Sequence, residues 1–550
     1  MLFGSSAPQS HHEVLQQYTA QYDARIKSGE YEPFVYPWGT FGAAVVILYL
    51  LIDHRDRPFL RRSRYLVWAF NVGFSAYCIR YCRARSMVAG FGIGLVSAWS
   101  ILWTATILIV HDAQMDFRRI ERTDSGVGQT IAPQQYLEPF DESSNGHANG
   151  SASQTKGLAI KRRRSRSGSN KFGTRLAPAQ RKGAFAWQSY PVAPFIERLD
   201  WVADVFCNFR GMGWNWRISG LAPAPKWVQE ELRNTSGTEV SDKDTHTGKD
   251  GTHRYHTKHE VLRANVKAFI INYLIMDLMK VFIVHDPYFW GQPHLPPPSW
   301  YPAAVRASPL LLRVVRLALT LFAVKSSLLC LFTLAPLFFV GVLGPKVIGA
   351  RGEPWMYPDT WGSYRNVFDK GLTGWWGGWW HQTFRFAFES PPKRIVTALG
   401  MNPKSLAAKG LQLFIAFALS GSLHACGSFT MAGQTSPLSG PFSFFVLQAC
   451  GIIGQLLLTG MLRKTGVTQR MPKRVRQAAN FIYVHLWFLY IAPLLCDDFA
   501  KGGIWMYEPF PISLLRGLGL GGPENGWWCW GGEWLRWHTG QHWWQSGISM

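Results

Sequence analysis

The chain has 550 residues, a formal net charge of +23 and a mean hydropathy of −0.03. The low mean hides two kinds of sequence, because long apolar blocks alternate with polar, basic stretches. Such blocks exclude an ordinary soluble fold, since the buried helices of soluble proteins are rarely so apolar all round. The eight cysteines include no CxxC pair and no zinc-like spacing, so we expect buried free thiols.

The apolar blocks predict about eight transmembrane helices, because about 20 apolar residues span a bilayer core. Residues 1–36 are polar and are expected to form an N-terminal tail with no cleavable signal peptide. Residues 37–110 hold three predicted spans, and 265–499 hold the other five. The predicted spans are 38–52, 65–79, 87–110, 265–285, 326–344, 411–429, 441–462 and 480–496. Residues 308–325 fit either an interfacial helix or part of another span, because three basic residues interrupt an apolar run.

Residues 111–264 form one large hydrophilic insert. Basic residues are concentrated after the first, third, fifth and seventh spans, so the positive-inside rule places the insert in the cytosol. We expect disorder to about residue 182, since this part has too few apolar residues to form a core. Its "KRRRSR" run, 161–166, suits anionic lipid better than nucleic acid in a membrane protein. The predicted location is the endoplasmic reticulum membrane, with multiple passes.

Order is expected to resume near Trp187. Apolar residues then recur at helical spacing and predict a helix that lies along the membrane surface: Phe195, Leu199, Val202, Phe206 and Phe209. This helix leads into "RGMGWNW", 210–216. A later cluster has histidines three residues apart, which drift around a helix instead of converging, so no metal site is predicted for His253, His256, His259 and Glu260.

Two kinds of ionisable residue interrupt the apolar spans. Asp277 and Lys280 lie on one helical face and either neutralise one another or face a substrate. His424 lies past the midplane of "LQLFIAFALSGSLHACGSF", 411–429, with Ser420 one turn before it on the same face. A histidine in this position either exchanges a proton with a substrate or makes a structural hydrogen bond to another helix.

The stretch "GLTGWWGGWWHQTFR", 371–385, surrounds His381 with tryptophan and glycine. Tryptophans beside apolar spans commonly form an aromatic belt, and glycines commonly mark turns. The stretch alone therefore does not assign a function to His381.

Four motifs in one order give a more specific indication: "RGMGWNW", "YLIMD" (273–277), "WWGGWWHQTFR" (375–385) and "SGSLH" (420–424). In this order they resemble the wax-synthase-like branch of the membrane-bound O-acyltransferase superfamily. The fungal enzymes that acylate secondary metabolites such as terpenoids are the most similar members. The resemblance covers about residues 190–495, apart from the polar stretch 225–255.

This resemblance implies an all-α polytopic protein with about eight transmembrane helices around an acyl-transfer tunnel. The implied reaction transfers an acetyl or fatty acyl group from acyl-CoA to a hydroxyl of a lipophilic alcohol, such as a terpenoid, a sterol or a fatty alcohol. Acyl-CoA is a co-substrate, and no bound cofactor or nucleic acid is expected. The expected partners are acyl-CoA, the alcohol and membrane lipid, and residues 500–550 form an atypical Trp-rich tail.

The resemblance also implies residue roles. His424 is the general base, and His381 polarises or positions the thioester. Substrate-binding roles are implied for Trp376, Trp379, Trp380, Gln382, Arg385, Ser420 and Asp277. Gly378 stands where members of the branch usually have an arginine, and Arg385 is a candidate to replace that positive charge.

Two other functions remain open from the sequence. A transporter would use Asp277, Lys280 and His424 as an intramembrane relay. A non-catalytic lipid-binding protein would use these residues structurally. Release of free CoA that depends on an added alcohol distinguishes an acyltransferase from both.

Overall fold

The computed structural model describes residues 10–123, 184–232, 244–521, 525–531 and 535–549. The described chain is mainly helical. Its longer α-helices are His11–Lys27, Phe41–Leu50, Arg64–Tyr81, Met87–Ala105, Phe195–Cys207, Lys258–Ile283, Pro309–Pro336, Arg385–Ala398, Leu406–Thr430, Ser443–Lys464, Lys473–Ile491 and Pro493–Lys501. Its shorter α-helices are Pro58–Arg62, Ala113–Asp116, Lys226–Glu230, Ala303–Ala307, Pro345–Ile348, Arg365–Lys370, Leu372–Gly374 and Val467–Arg470.

The strands are short and form three small sheets. Glu32–Pro33 pairs with Cys82–Arg83 in parallel, and Arg119–Arg122 pairs antiparallel with Phe185–Gln188. Gly547–Ser549 is the middle strand of the third sheet and pairs antiparallel with both Val35–Tyr36 and Arg536–His538.

The expected all-α membrane fold is confirmed, since each of the eight predicted spans overlaps a helix. Among the described residues, five helices are long and apolar enough to cross a membrane, judged by length and composition. They are Met87–Val110, Pro309–Leu343, Leu406–Thr430, Leu438–Lys464 and Lys473–Lys501. Phe41–Leu50, Arg64–Tyr81 and Lys258–Ile283 are shorter or less apolar, so the count of eight crossings stays a prediction.

The uncertain stretch 308–325 belongs to a longer helix, and the predicted start at 326 is wrong. Ser308 caps the helix by accepting a hydrogen bond from the Leu311 backbone N–H. Arg316 forms a two-pronged ion pair with the fully buried carboxylate of Asp286, at 2.7 and 2.9 Å. The basic residues therefore do not end the helix, because a partner neutralises the most buried charge.

The helix that carries His424, Leu406–Thr430, lies against helix Met87–Ala105 at very short range. A Cβ atom on Gly94 would overlap the backbone carbonyl of Cys426. The Gly94 backbone N–H also donates to the hydroxyl of Thr430, at 3.1 Å. Small residues permit this close approach of helices in membranes, where packing replaces hydrophobic burial as the driving force. The missing side chain at Gly94 thus fixes where His424 lies.

A hairpin within the insert brings residues 123 and 184 together. Arg122 is opposite Phe185 in the antiparallel pair, and the Thr123 backbone N–H donates to the Ala184 carbonyl at 2.8 Å. Residues 124–183, with the "KRRRSR" run and most of the stretch predicted to be disordered, lie outside the described residues.

The predicted surface helix is present as Phe195–Cys207. Phe195 and Leu199 are exposed, in agreement with an apolar face toward lipid, whereas Val202 is fully buried. The helix therefore has two apolar sides, and Trp201 with Val205 extends the buried one into the protein.

The N-terminal region expected as a polar tail contains the helix His11–Lys27. Val14 and Tyr18 are buried against the helical bundle, and the Tyr18 hydroxyl donates to the Lys501 carbonyl oxygen at 3.0 Å. Polar composition concealed this packing because two buried residues one helical turn apart suffice for it.

Alanine substitutions at two glycines of one helix should have opposite effects. Gly92→Ala adds a methyl group where no atom lies within 4 Å, so it should leave stability unchanged or raise it by up to about 1 kcal/mol through helix propensity. Gly94→Ala forces two backbones apart and should lower stability by about 1–3 kcal/mol. Thermal unfolding in detergent, followed by size-exclusion fluorescence, measures both. Equal behaviour of the two variants would contradict the close contact.

Removing residues 124–183 and joining Thr123 to Ala184 with a short Gly-Ser linker should preserve the fold. The hairpin already brings these two residues within hydrogen-bonding distance, and shortening a loop costs little closure entropy. The deleted protein should be monodisperse in detergent and melt within a few degrees of the full chain. A correctly inserted protein that melts far lower would show that the segment contributes packing.

Candidate functional site

His424 is held in one tautomer by its own helix. Its Nδ1 lies 2.8 Å from the backbone carbonyl oxygen of Ser420, one turn earlier. A carbonyl oxygen only accepts hydrogen bonds, so Nδ1 carries the proton and the lone pair of the neutral ring lies on Nε2. The rings of Phe445 and Phe91 flank the imidazole, at 4.3 and 6.4 Å between centroids. The arrangement presents a proton acceptor in apolar surroundings.

His381 lies in an aromatic cage. Four rings surround its imidazole at centroid distances of 5.2 to 5.7 Å, and they belong to Trp361, Trp380, Phe332 and Phe384. Burial lowers the pKa of His381 to about 3, and the charges of His424 and Arg210 contribute to this shift. His381 is therefore neutral at physiological pH. Its Nδ1 is buried without a hydrogen-bond partner among the described residues.

Aromatic side chains connect the two histidines. From His381 the contacts run through Trp380 to Trp376, at 5.4 and then 5.9 Å. They continue from Trp376 to Phe445 at 5.9 Å, and Phe445 packs on His424. The imidazoles also interact electrostatically, since the charge of one lowers the pKa of the other. The structure therefore brings the two predicted site histidines into one apolar region.

Gln448 fixes the tryptophans of this region, and sequence reasoning missed it. Its side-chain oxygen accepts hydrogen bonds from the indole N–H groups of Trp376 and Trp487, both at 3.2 Å. The Gln448 side chain is fully buried. A glutamine in the apolar span 441–462 is the signal that could have identified it, because buried amides need partners.

The glycines of 371–385 allow backbone segments to pack against one another. A Cβ on Gly374 would overlap the carbonyl of Asn366, and one on Gly378 would overlap the Asn366 side chain. By contrast, no atom lies within 4 Å of a Cβ built on Gly377. A side chain at position 378 would therefore require Asn366 to move.

Gln382 and Arg385 are occupied by the loop itself. The Gln382 amide donates to the carbonyl oxygens of Trp376 (2.7 Å) and Trp380 (2.5 Å). Arg385 forms an ion pair with Glu389 and donates to the Gln382 side-chain oxygen at 3.2 Å. Both side chains hold the shape of the segment, and their substrate-binding roles stay predictions.

Trp379 and Ser420 take less direct positions. The Trp379 ring packs against Trp375 and Tyr364, at 4.3 and 5.1 Å, and Lys325 lies 5.6 Å from its centroid. Ser420 contributes its backbone carbonyl oxygen, and not its hydroxyl, to the hydrogen bond with His424. These two residues support the site more than they line it.

Asp277 and Lys280 do not neutralise one another, so that interpretation of the sequence is wrong. Asp277 accepts hydrogen bonds from the Ser513 hydroxyl and from the Leu515 backbone N–H. Lys280 donates to the Trp505 carbonyl at 2.7 Å and pairs with Glu508 at 3.2 Å. Both charged side chains bind the C-terminal segment 505–515. Polar groups of that segment satisfy the two buried charges, so Asp277 and Lys280 do not need to pair with one another along the helix.

Of the histidine cluster 253–259, the structure groups only His256 with other potential metal ligands, and these come from an earlier part of the chain. Ligand atoms of Asp244, His246 and His256 lie within 4.8 Å of one another, whereas His253 and His259 are not part of the group. Arg254 already forms an ion pair with Asp244. The absence of a metal site therefore stays a prediction.

Comparison with known proteins finds acyltransferases that are similar to this chain. Residues 357–447, which contain both histidines, match the model of the membrane bound O-acyl transferase family. The chain is 26% identical over 330 residues to the acetyltransferase ple2 of Rhodocybe pseudopiperita, which covers 59% of this chain and 73% of that protein. It is 24% identical to the O-Mevalon transferase macI of Penicillium terrestre over 47% of this chain and 53% of that protein.

A third relative, the O-Mevalon transferase yanI of Aspergillus niger, is 24% identical over 54% of this chain and 61% of its own length. The chain thus spans less than two thirds of the two O-Mevalon transferases. No solved structure matches it significantly. The chain is therefore similar to the membrane bound O-acyl transferase family over the region that holds both histidines, and to fungal acyltransferases over a longer part of its length.

Proposed function

We propose that this acyltransferase moves an acyl group from acyl-CoA to the hydroxyl of a lipophilic alcohol, with His424 as general base. The observation that carries the proposal is the Nδ1–H of His424 bound to the Ser420 carbonyl, which leaves Nε2 as the proton acceptor. An alcohol is a weak nucleophile and needs a base within reach of its proton. No other partner of Nε2 is present among the described residues, so the lone pair is available.

In the proposed reaction the alcohol oxygen attacks the thioester carbon while its proton passes to Nε2 of His424. The carbonyl electron pair moves onto oxygen and gives a tetrahedral intermediate. When this intermediate collapses, the C–S bond breaks and the CoA sulfur takes the proton from the imidazolium. The products are the ester and free CoA, and His424 returns to its neutral form.

His381 is suited to interact with the thioester oxygen. Its pKa of about 3 keeps it neutral, and a neutral imidazole retains one N–H donor. Its aromatic cage excludes water, which strengthens that hydrogen bond and limits hydrolysis of the thioester. His381 therefore positions and polarises the acyl group without exchanging a proton.

The wall of the region supports a lipophilic acceptor. Trp376, Trp380 and Phe445 form a continuous apolar surface between the two histidines. Such a surface binds a terpenoid, sterol or fatty alcohol through burial of apolar area. The relative ple2 is named an acetyltransferase, which favours a short acyl donor over a long one. We place the enzyme in the endoplasmic reticulum membrane, where such alcohols dissolve.

The transporter hypothesis has less support. A proton relay needs Asp277 and Lys280 to be free to exchange partners along a path to His424. Both side chains are instead bound to the C-terminal segment. A non-catalytic lipid-binding protein would release no CoA on addition of an alcohol, so the same assay separates that role from acyl transfer.

The first experiment measures free CoA released from acetyl-CoA by the purified protein in lipid nanodiscs. Thiol release should depend on an added lipophilic alcohol, with a panel of sterols, terpenoid alcohols and fatty alcohols as acceptors. Release that is independent of every alcohol would contradict the proposal.

Substitution of the two histidines should affect transfer unequally. His424→Ala should lower kcat by about 10²- to 10⁴-fold, the usual contribution of a general base. His381→Asn should retain partial activity because an amide still donates a hydrogen bond, whereas His381→Ala should lose more. Initial rates of alcohol-dependent CoA release, normalised to folded protein, test these expectations.

His485 provides a matched control. Its Nδ1 also binds the carbonyl one turn earlier, at 2.8 Å from Phe481, but its Nε2 is engaged by the Tyr364 hydroxyl at 3.1 Å. His485→Ala should therefore keep nearly full activity. Normal turnover by a well-folded His424→Ala protein would remove the general base from this proposal.

A further inference from the structure

Arg210 opens the 210–216 segment, which the proposed mechanism does not use. It directly follows Phe209, whose ring lies 5.7 Å from that of Phe384. The Phe384 ring lies 5.7 Å from His381, so the segment runs beside the aromatic cage. A part of the chain distant in sequence thus reaches the candidate site.

The guanidinium of Arg210 holds the backbone that frames His381. Its two Nη groups donate to the carbonyl oxygens of Pro358 (2.9 Å) and Asp359 (2.6 Å). Trp361 follows two residues after Asp359, and its ring lies 5.2 Å from His381. Arg210 is therefore fixed in orientation next to the cage.

The charge of Arg210 is not cancelled by a direct ion pair. Among the described residues, no carboxylate oxygen lies within 4.0 Å of its guanidinium. The Asp359 carboxylate instead accepts from the Tyr255 hydroxyl at 2.7 Å and the His253 backbone N–H at 3.1 Å. The Nε of Arg210 is buried and has no hydrogen-bond partner in the described part of the chain.

The carboxylates of Asp250 and Asp359 partly offset the charge of Arg210 without a direct ion pair. A buried cation that lacks a direct carboxylate partner is costly, and such groups are concentrated at functional sites. Burial lowers the pKa of Arg210 to about 10, so it remains protonated at neutral pH. Nε of Arg210 and Nδ1 of His381 are buried without a hydrogen-bond partner among the described residues, as is the indole nitrogen of Trp361 in the cage. The Arg210 and His381 nitrogens are suited to an oxygen that becomes negative during reaction.

We propose that Arg210 supplies the fixed positive charge of the acyl-transfer site and stabilises the negative thioester oxygen beside His381. This inference rests on the proposed function. Attack by the alcohol places the carbonyl electron pair on that oxygen, and a preorganised positive charge lowers the energy of this state. The other candidates are less suitable, since Gly378 has no room for a side chain and Arg385 is paired with Glu389.

The test compares Arg210→Met, which removes the charge, with Arg210→Lys, which keeps it. We expect Arg210→Met to lower kcat about 10²- to 10³-fold with KM for acetyl-CoA changed little, as for loss of an oxyanion-binding donor. Arg210→Lys should stay within about tenfold of the wild type. Similar large losses in both variants, with equally lowered melting temperatures, would mean that Arg210 only holds the backbone and would overturn the proposal. Unchanged kcat in Arg210→Met would overturn it as well.

Arg217→Met is the matched control. Arg217 lies in the same turn and donates to the Leu221 carbonyl, but its charge is not among those that act on His381. This variant loses an arginine–carbonyl bond of the same kind and should keep kcat within about threefold, since no interaction at the site is removed.

A second measurement does not require turnover. Diethyl pyrocarbonate modifies neutral imidazole, and mass spectrometry follows its reaction at His381 as pH is lowered. The charges that face His381 are those of Arg210 and His424, and both oppose its protonation. In Arg210→Met the modification should therefore fall off at higher pH than in the wild type. An unchanged profile would overturn the proposed charge, even if transfer occurs. A shifted profile without any alcohol-dependent transfer would instead overturn the proposed function.

Discussion

The contact of Gly94 with the Cys426 carbonyl is the constraint on which the site depends. Two helices can approach this closely only where a side chain is missing, and the approach sets the depth and rotation of the helix that carries His424. The imidazole then lies between Phe91 and Phe445, one from each neighbouring helix. The tautomer is set locally by Ser420, whereas the surroundings of the ring are set by packing between helices.

The same principle shapes the other half of the site. Glycine lets the segments around 362, 374 and 378 pack backbone against backbone, so the bulky tryptophans turn toward the helices. Gln448 then fixes two indole rings with one carbonyl oxygen. Tryptophan and glycine occur together because the large indole rings can pack side by side only where the glycines let the backbone segments that carry them approach closely. A buried arginine from 210–216 supplies charge where this backbone leaves no room for a side chain.

The sequence predicted the helices well because apolar periodicity is a local property of the chain. Motifs in a fixed order also indicated His381 and His424, which lie in one apolar region of the structure; their catalytic roles stay predictions. The sequence did not predict partners that come from distant segments. Asp277 and Lys280 bind residues more than 200 positions away, and His256 meets His246 and Asp244 instead of its neighbours in the cluster. The role of Gln448 was likewise hidden, since its two hydrogen-bond donors lie on other elements.

One small sheet pairs a strand near the start of the described chain with a strand near its end, and this restricts the number of membrane crossings between them. Tyr36 is paired with Ile548, so these residues lie on the same side of the membrane, and the chain between them crosses an even number of times. Five crossings would be an odd number, so the five long apolar helices among the described residues do not satisfy this rule by themselves. Adding Phe41–Leu50, Arg64–Tyr81 and Lys258–Ile283 gives eight and satisfies the rule. A hydrogen-bonded strand of three residues thus constrains the route of more than five hundred.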